Sequence, residues 1–194
     1  MHHIKCNIFV GLFVIMTGLL SACSTFAPEP KANKAEMTRK AMKSHKPVKL
    51  EIYEVHHDGR IHVFYSKKLY KEFMQLGETS FRLTRIGVGP HGETMVFGLE
   101  KKDKKLKKPV AAIELYDGKL KPDAFYAEMH KHGRIYVFNN FKDMKTVRDF
   151  GHPNFMFTQI GDGPKGETVV FVLNSKNKKK RPDALIAEFK KRNF

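Results

Sequence analysis

Two glutamates, each followed two residues later by a histidine, are the side chains of this sequence best suited to proton transfer or ligand binding. Each belongs to a set that also contains an arginine, and the two sets are Glu54, His56 and Arg60, and Glu128, His130 and Arg134. Residues two apart in a strand lie on the same face, so each glutamate should lie beside its histidine. The sets can form a ligand site, but partly buried ion pairs that stabilise a hairpin give the same pattern. We interpret them as ion pairs and keep the ligand site as the alternative.

Histidines are the other candidates for metal binding, because the only two cysteines, Cys6 and Cys23, lie near the N-terminus. The residue order places His57 and His62 on one face of a predicted hairpin, but Tyr136 replaces His62 in a second, related segment. No carboxylate or cysteine pattern accompanies the histidines, as a zinc site would require. The sequence therefore predicts no metal site and no cofactor.

A glycine-rich motif, Ile-Gly-x-Gly-Pro-x-Gly-Glu-Thr-x-Val-Phe, occurs at residues 86–97 and again at residues 160–171. It contains the string G-x-G-x-x-G, which in dinucleotide-binding proteins precedes a helix whose N-terminus holds the pyrophosphate. Strand-like residues follow the glycines here, and Pro90 and Pro164 each remove a backbone N–H that a phosphate would need. We interpret both copies as turns that contain positive-φ glycines.

Two runs of basic residues occupy corresponding places in the sequence. They consist of Lys101, Lys102, Lys104, Lys105, Lys107 and Lys108, and of Lys176, Lys178, Lys179, Lys180 and Arg181. The whole chain carries a formal net charge of +16, which favours anionic partners such as lipid phosphates, lipopolysaccharide or an acidic protein. Two basic loops on one body can grip phosphates or a membrane surface, although solvated loops have the same composition.

The positions of these motifs follow from an internal duplication. Residues 50–99 are identical to residues 124–173 at 22 of 50 positions without a gap, and residues 109–116 align with 182–189 after one deletion. Such similarity predicts two tandem units, residues 48–120 and residues 121–194, that fold alike.

Each unit begins with the pattern of a β-hairpin followed by a helix. Residues 50–57 and 60–65 flank Asp58-Gly59, a dipeptide typical of type I′ turns, and the second copy spans 124–131 and 134–139. Helices are predicted at residues 67–76 and 141–150, with Gly77 and Gly151 as C-terminal caps. Predicted strands follow at 81–87, 93–100 and 110–116, the last of which corresponds to 184–189 in the second unit.

The predicted fold class is α+β, with two tandem β-β-α-β-β-β repeats, a mostly antiparallel sheet and one helix per repeat. One face of the second hairpin contains Phe125, Met129, Tyr136 and Phe138, and the other contains Tyr126, Ile135 and Val137. A sheet that is apolar on both faces needs two covers. We therefore expect one helix on one face and the partner unit on the other, in a single pseudo-symmetric domain.

The N-terminus has the pattern of a secretory signal. Residues 8–20 form an apolar run of 13 residues behind Lys5, which is short for a membrane-spanning helix and typical of a signal peptide. The segment Leu20-Ser21-Ala22-Cys23 resembles the lipobox of bacterial lipoproteins. The resemblance implies removal of residues 1–22, a diacylglycerol thioether on Cys23 and an amino group acylated with a fatty acid such as palmitate.

The residue after the cysteine bears on localisation. In lipoproteins of this kind, aspartate at that position retains the protein at the inner membrane, so Ser24 implies the outer membrane, with the body in the periplasm or at the surface. Residues 23–47 are rich in Pro, Ala, Lys and Ser and are predicted to be the lipidated cysteine and a flexible basic tether.

These patterns predict a lipid-anchored envelope protein with a non-enzymatic body that binds an anionic envelope component or a protein partner. Nucleic acid is disfavoured by the predicted compartment, and no catalytic residue is assigned. The alternative is an envelope enzyme, or a small-ligand or metal-binding protein, with its site between the two units. Such a site would use Glu54 and Glu128, His56 and His130, or Glu93 and Glu167.

Overall fold

The computed structural model of the chain describes residues 48–194, in which eight strands form one sheet with helices on its faces. The fold class is α+β, as predicted. The elements are β1 (Lys49–His57), β2 (Arg60–Phe64), α1 (Lys67–Leu76), β3 (Phe81–Arg85), β4 (Thr94–Leu99), α2 (Ala111–Tyr116), β5 (Ala124–Lys131), β6 (Arg134–Phe138), α3 (Phe141–Phe150), β7 (Phe155–Gln159), β8 (Thr168–Leu173) and α4 (Asp183–Asn193).

Residues 49–116 and 124–193 correspond to the two predicted units and are called the two segments. The final element of each segment differs from the prediction. Residues 111–116 and 183–193 are helices, so the element order is β-β-α-β-β-α and the strands predicted at 110–116 and 184–189 are wrong. A short apolar run does not by itself distinguish a buried strand from a buried helix. The residues present, Ala-Ala-Ile-Glu-Leu-Tyr and Asp-Ala-Leu-Ile-Ala-Glu-Phe, are rich in strong helix formers.

The hairpins have the predicted register. Asp58 and Gly59 adopt φ values of 49° and 69°, as the two central residues of a type I′ turn require. Glu54 then pairs with Val63 across the strands, and His56 pairs with Ile61. The second hairpin repeats this geometry, with φ values of 52° and 69° in its turn residues, His132 and Gly133.

Helices α1 and α3 also begin and end at the predicted residues. The Ser66 side chain accepts a hydrogen bond from the Leu69 amide, and the left-handed Gly77 donates its N–H to Phe73 at 2.8 Å. Asn140 and Gly151 cap α3 in the same way. Leu69, Tyr70 and Phe73 of α1 are buried, whereas Leu76 in its last turn is 70% exposed.

The strand order is β3-β4-β2-β1-β5-β6-β8-β7, so β1 and β5 lie at the centre of the sheet. Four of the seven pairings are antiparallel, and the other three, β1–β5, β2–β4 and β6–β8, are parallel. The sheet is therefore mixed, although antiparallel pairs predominate. Parallel neighbours need a crossover connection, which α1–β3 and α3–β7 supply between β2 and β4 and between β6 and β8.

Each face of the sheet is covered by helices from both segments. On the front face, Ala112 and Leu115 of α2 and Met144 and Val147 of α3 share one buried cluster with strand residues. On the back face, α1 and α4 do the same through Leu69, Tyr70, Phe73, Leu185, Ile186 and Phe189. The prediction of one helix on one face and the partner unit on the other is corrected accordingly.

The pairings also fix which strand ends lie together. Strands β2, β4, β6 and β8 run in one direction, and β1 and β5 run in the other. The chain segments after β4 and after β8 therefore leave from one end of the sheet, where β1 and β5 begin. We call this end the lysine end, and we call the opposite end, where Asp58-Gly59 and His132-Gly133 turn, the hairpin end.

Candidate functional site

The two basic segments lie at the same end of the sheet. Lysine loop 1 is residues 100–110, between β4 and α2, and lysine loop 2 is residues 174–182, between β8 and α4. Since β4 and β8 are five strand positions apart, the roots of the two loops are separated by roughly 24 Å at about 4.8 Å per strand. All eleven predicted basic residues in them are exposed: Lys101, Lys102, Lys104, Lys105, Lys107, Lys108, Lys176, Lys178, Lys179, Lys180 and Arg181.

Aromatic residues of the sheet hold the base of each lysine loop. In loop 1, the Tyr65 hydroxyl donates a hydrogen bond to Asp103, and the Lys104 ammonium lies 5.7 Å from the Phe81 ring centre. In loop 2, the Lys178 ammonium lies 4.4 Å from the Phe155 ring centre. These contacts fix part of each loop and leave other ammonium groups directed to solvent.

Few of these cations are neutralised by neighbouring acids. Lys102 lies 2.8 Å from Glu100, and Arg181 lies 3.2 Å from Asp183. Within the described part of the chain, nine others form no ion pair: Lys101, Lys104, Lys105, Lys107, Lys108, Lys176, Lys178, Lys179 and Lys180. Both loops therefore keep an uncompensated positive charge.

The chain enters the sheet at this same end. The Val48 amide donates a hydrogen bond of 2.8 Å to the Asp123 carboxylate, which fixes the entry point beside the first residue of β1. The predicted signal peptide, Cys23 and the tether of residues 23–47 lie outside the described residues. Within residues 48–194, no helix is both long enough and apolar enough to cross a lipid bilayer.

Glu54 is fully buried on the front face and is the centre of a polar cluster. Its Oε1 lies 2.6 Å from His56 Nε2, and its Oε2 accepts a hydrogen bond of 2.5 Å from the Tyr116 hydroxyl. The Arg148 guanidinium lies 3.5 Å from Oε2 and stacks on the Tyr116 ring. The predicted proximity of Glu54 and His56 is correct, and α2 and α3 supply the other partners.

Competing effects set the pKa of Glu54. Burial raises it, but the hydrogen bond from His56 and the positive charge of Arg148 together lower it below its ordinary value. Burial, followed by the charge of Glu54, raises the pKa of Tyr116 far above its ordinary value, so this hydroxyl stays protonated as a donor. Both oxygens of Glu54 therefore have partners, His56 on Oε1 and Tyr116 with Arg148 on Oε2.

Glu128 is the corresponding carboxylate on the back face. Its Oε1 accepts hydrogen bonds from the Tyr126 hydroxyl at 2.7 Å and the Asn193 amide at 2.9 Å, and Lys67 lies 3.8 Å away. His130 Nε2 is 3.9 Å from Oε2, too far for a hydrogen bond, and pairs with the Tyr70 hydroxyl instead. Burial raises the pKa of Glu128, whereas neighbouring His130 and Lys67 lower it below its ordinary value.

The arginines of the two predicted sets do not join these clusters. Arg60 and Arg134 are exposed in the first positions of β2 and β6, where they lie opposite His57 and Lys131 at the hairpin end. Neither arginine forms an ion pair with a residue in the range 48–194. The cations that pair with the buried glutamates are instead Arg148 and Lys67.

The Gly-Pro motifs are closed loops at the hairpin end. Gly87 and Gly92 have φ values of 71° and 83°, and Gly161 and Gly166 have values of 74° and 79°, which confirms the predicted positive-φ glycines. Glu93 and Glu167, the remaining candidates for a shared site, each accept a backbone N–H from within their own loop, at 2.8 and 2.7 Å. Both motifs are followed by strands, as the turn interpretation required.

His57 and His62 were the histidine pair considered for metal binding. No group of three His, Cys, Asp or Glu side chains among residues 48–194 is arranged to hold a metal ion. His62 instead packs its ring 4.4 Å from the ring centre of Phe73. Burial, followed by the charges of Arg60 and His57, lowers the pKa of His62 from 6.5 to about 4.

Sequence reasoning missed Arg148, Tyr116, Lys67 and Asn193 as partners of the buried glutamates. A signal for Arg148 was present, because it lies four residues after Met144 and next to Val147 on the face of α3 that packs on the sheet. No comparable signal marked Asn193, since α4 was predicted as a strand.

No family model, curated protein or solved structure matches this chain.

Proposed function

We propose that this chain is a lipid-anchored protein of the bacterial envelope that docks its lysine end on an anionic, phosphate-bearing membrane surface. The attachment point is Cys23, the body is non-enzymatic, and the outer membrane is the expected location. One observation supports this proposal above the others: both lysine loops and the entry point of the chain lie at the same end of the sheet.

The geometry favours a membrane surface because of where the anchor would connect. If residues 24–47 act as the flexible tether that their composition predicts, they reach roughly 25–30 Å. The connection enters at Val48, so the lysine loops can face the lipid headgroups without the chain passing around the body. Each Lys or Arg close to an anionic leaflet contributes about 1 kcal/mol, so several uncompensated lysines suffice to orient the body.

The body is, in this proposal, a pair of tandem repeats packed as one pseudo-symmetric domain. The supporting observations are the element order β-β-α-β-β-α in residues 49–116 and 124–193, and a strand order that reads alike outward from β1 and from β5. Duplication would then account for two lysine loops at equivalent positions.

An enzyme or small-ligand site built on the paired glutamates and histidines of the two segments has less support. It would need Glu54 and Glu128, or their histidines, to converge on one cleft. These glutamates are buried under different helix pairs on opposite faces, and each is already paired with a cation. Glu93 and Glu167 are occupied by their own loops.

Binding to vesicles tests the surface proposal. The lysine-end variant carries Lys101→Gln, Lys105→Gln, Lys176→Gln and Lys179→Gln, and the matched control carries four substitutions away from this end: Lys71→Gln, Lys131→Gln, Lys165→Gln and Lys191→Gln. Both variants lose the same charge, so they differ in where the charge is removed. Soluble chains spanning residues 24–194 contain the whole compact unit Lys46–Phe194.

We expect wild-type protein to bind phosphatidylglycerol vesicles at low salt and to dissociate at high salt. The lysine-end variant should bind several hundredfold more weakly, as about 1 kcal/mol for each of four lysines implies. The control should lose far less. Equal losses in the two variants would show that net charge alone acts, and unchanged binding by the lysine-end variant would refute the proposal. Binding to an acidic protein but not to vesicles would favour a protein partner instead.

A further inference from the structure

A groove of about 670 Å³ opens at the lysine end, at the first residues of the two central strands. Its wall is formed by β1, β5 and one face of α4. The apolar residues that line it are Leu50, Ala124, Phe125, Tyr126, Ala184 and Leu185. Volumes of this size and walls of this kind are typical of small-molecule sites.

The groove lies between the two lysine loops. Lysine loop 1 follows β4, two strand positions from β1, and lysine loop 2 follows β8, two positions from β5. The centre of the groove lies between β1 and β5, so at about 4.8 Å per strand each loop begins roughly 12 Å from it. Lysine loop 2 is closer along the chain as well, since Arg181 precedes the groove residue Ala184 by three positions.

The charged residues of the groove are largely balanced among themselves. Arg192 forms ion pairs with both Glu51 and Glu188, and its guanidinium lies 4.2 Å from the Tyr126 ring centre. Lys49 is exposed on the rim. The groove therefore combines an apolar floor with a positively charged surround, which complements a molecule with an apolar tail and an anionic head.

We propose that this groove binds one acyl chain of an anionic amphiphile whose phosphate is held by the lysine loops. The inference rests on the proposed function and deepens it, because it adds recognition of a single lipid molecule to adsorption on a surface. The acyl chain replaces water against Ala124, Phe125 and Ala184, which line the groove and are not buried, and the phosphate is neutralised by flanking ammonium groups.

Alkyl phosphates below their micelle-forming concentration are a suitable probe, because they combine one chain with one phosphate. Calorimetric titration of the 24–194 chain compares octyl phosphate, decyl phosphate and inorganic phosphate. A buried methylene group contributes enough to strengthen binding about fourfold, so decyl phosphate should bind roughly tenfold or more tightly than octyl phosphate. Inorganic phosphate should bind weakest.

Two tryptophan substitutions on α4 provide a matched comparison. Ala184 and Ala187 are both exposed on this helix, but only Ala184 lines the groove. Ala184→Trp should fill the groove and remove the dependence on chain length, whereas Ala187→Trp should retain it. Circular dichroism and a urea midpoint near that of the wild type verify that both variants fold.

The outcomes separate this inference from the proposed function. If affinity does not depend on chain length, or if both tryptophan variants behave alike, the groove does not bind an acyl chain, while salt-sensitive binding to vesicles can still hold. If a chain starting at Lys46 binds decyl phosphate and the 24–194 chain does not, residues 24–45 occupy the groove and the lipid assignment is wrong. If wild-type protein does not bind the vesicles, the proposed function is wrong as well.

Discussion

Glu54 and Glu128 occupy equivalent positions in the two aligned segments, yet they lie on opposite faces of the sheet. Glu128 is aligned with Tyr53 in the parallel β1–β5 pairing, so it shares a face with Tyr53 and not with Glu54. Each glutamate pairs with a cation from the first helix of the other segment, Arg148 of α3 for Glu54 and Lys67 of α1 for Glu128. The two segments are therefore joined by reciprocal buried ion pairs as well as by the central strands.

Substitution of Arg148 by Met should strongly destabilise the protein. Arg148 is 6% exposed, and its removal leaves the Glu54 carboxylate buried without its guanidinium partner. Breaking one side of a buried pair costs about 3–5 kcal/mol. Urea denaturation at pH 7 measures the loss. The exposed Arg134→Met is the matched control and should change the free energy of unfolding by about 0.5 kcal/mol or less.

A double substitution distinguishes the ion pair from simple loss of packing. With Glu54→Gln and Arg148→Met together, no charge is left unpaired, so the combined loss should be smaller than the sum of the two single losses. Additive losses would show that the pair makes no specific contribution. A loss of less than about 1 kcal/mol for Arg148→Met would contradict the buried-pair interpretation outright.

His62 should make stability depend on pH between its two pKa values. Its pKa is lowered from 6.5 to about 4 in the folded protein, so the unfolded chain takes up the proton more readily. The stabilisation is fully present above pH 6.5 and is lost as the pH falls towards 4. Urea midpoints measured at several pH values should decline over this window. The decline should be weaker in the His62→Tyr variant. Tyrosine is chosen because Tyr136 occupies the equivalent position in the second segment.

The exposed His152 is the control for that titration, because its charge is not among those that lower the pKa of His62. His152→Gln should leave the slope between pH 6.5 and 5 as it is in the wild type. Below that range, buried Glu54 and Glu128 also contribute, since the stabilisation from a carboxylate of lowered pKa disappears as the pH falls through that value. An identical slope in wild-type protein and His62→Tyr would contradict the assignment to His62.

Local patterns in the sequence were sufficient for the hairpins and for α1 and α3. Asp58-Gly59 determines the register of β1 and β2, and Ser66 and Gly77 mark the two ends of α1. The alternating residues of β5 and β6 divide between the faces as predicted, with Met129 in the front cluster and Tyr126 in the back cluster. In these elements, the turn, cap and periodicity signals act over a few residues.

Signals that depend on distant residues could not be read in the same way. The parallel β1–β5 pairing joins segments about 75 residues apart and determines which helices cover each face, and hence that Arg148 reaches Glu54. The end of α4 did carry a local signal, because Lys190, Lys191 and Arg192 lie in its last turn, where cations are favoured. The common location of the two lysine loops depends on the strand directions of the whole sheet.

Position 89 requires glycine because Glu93 lies too close to leave room for a Cβ atom, and not because of an unusual φ value. A Cβ atom at this position would lie 2.5 Å from the Glu93 carboxylate and 3.0 Å from its backbone oxygen, and Gly163 is in the same position relative to Glu167. Gly89→Ala should therefore cost about 1–3 kcal/mol in the free energy of unfolding. His91→Ala in the same loop, which removes an exposed side chain, should cost little. Equal stability of Gly89→Ala and wild-type protein would show that the loop opens without strain.

The anchor proposal is tested by the two cysteines of the chain. Cys23 follows Leu20-Ser21-Ala22, whereas Cys6 precedes the apolar run and lies in the segment that cleavage would remove. Cells that express the full chain and are fed radiolabelled palmitate should yield a labelled protein. Cys23→Ser should abolish the label because the acceptor sulfur is lost, and Cys6→Ser should retain it. A label that persists in Cys23→Ser would exclude lipidation at this position, and the lysine end would then have to hold the body at the membrane without an anchor.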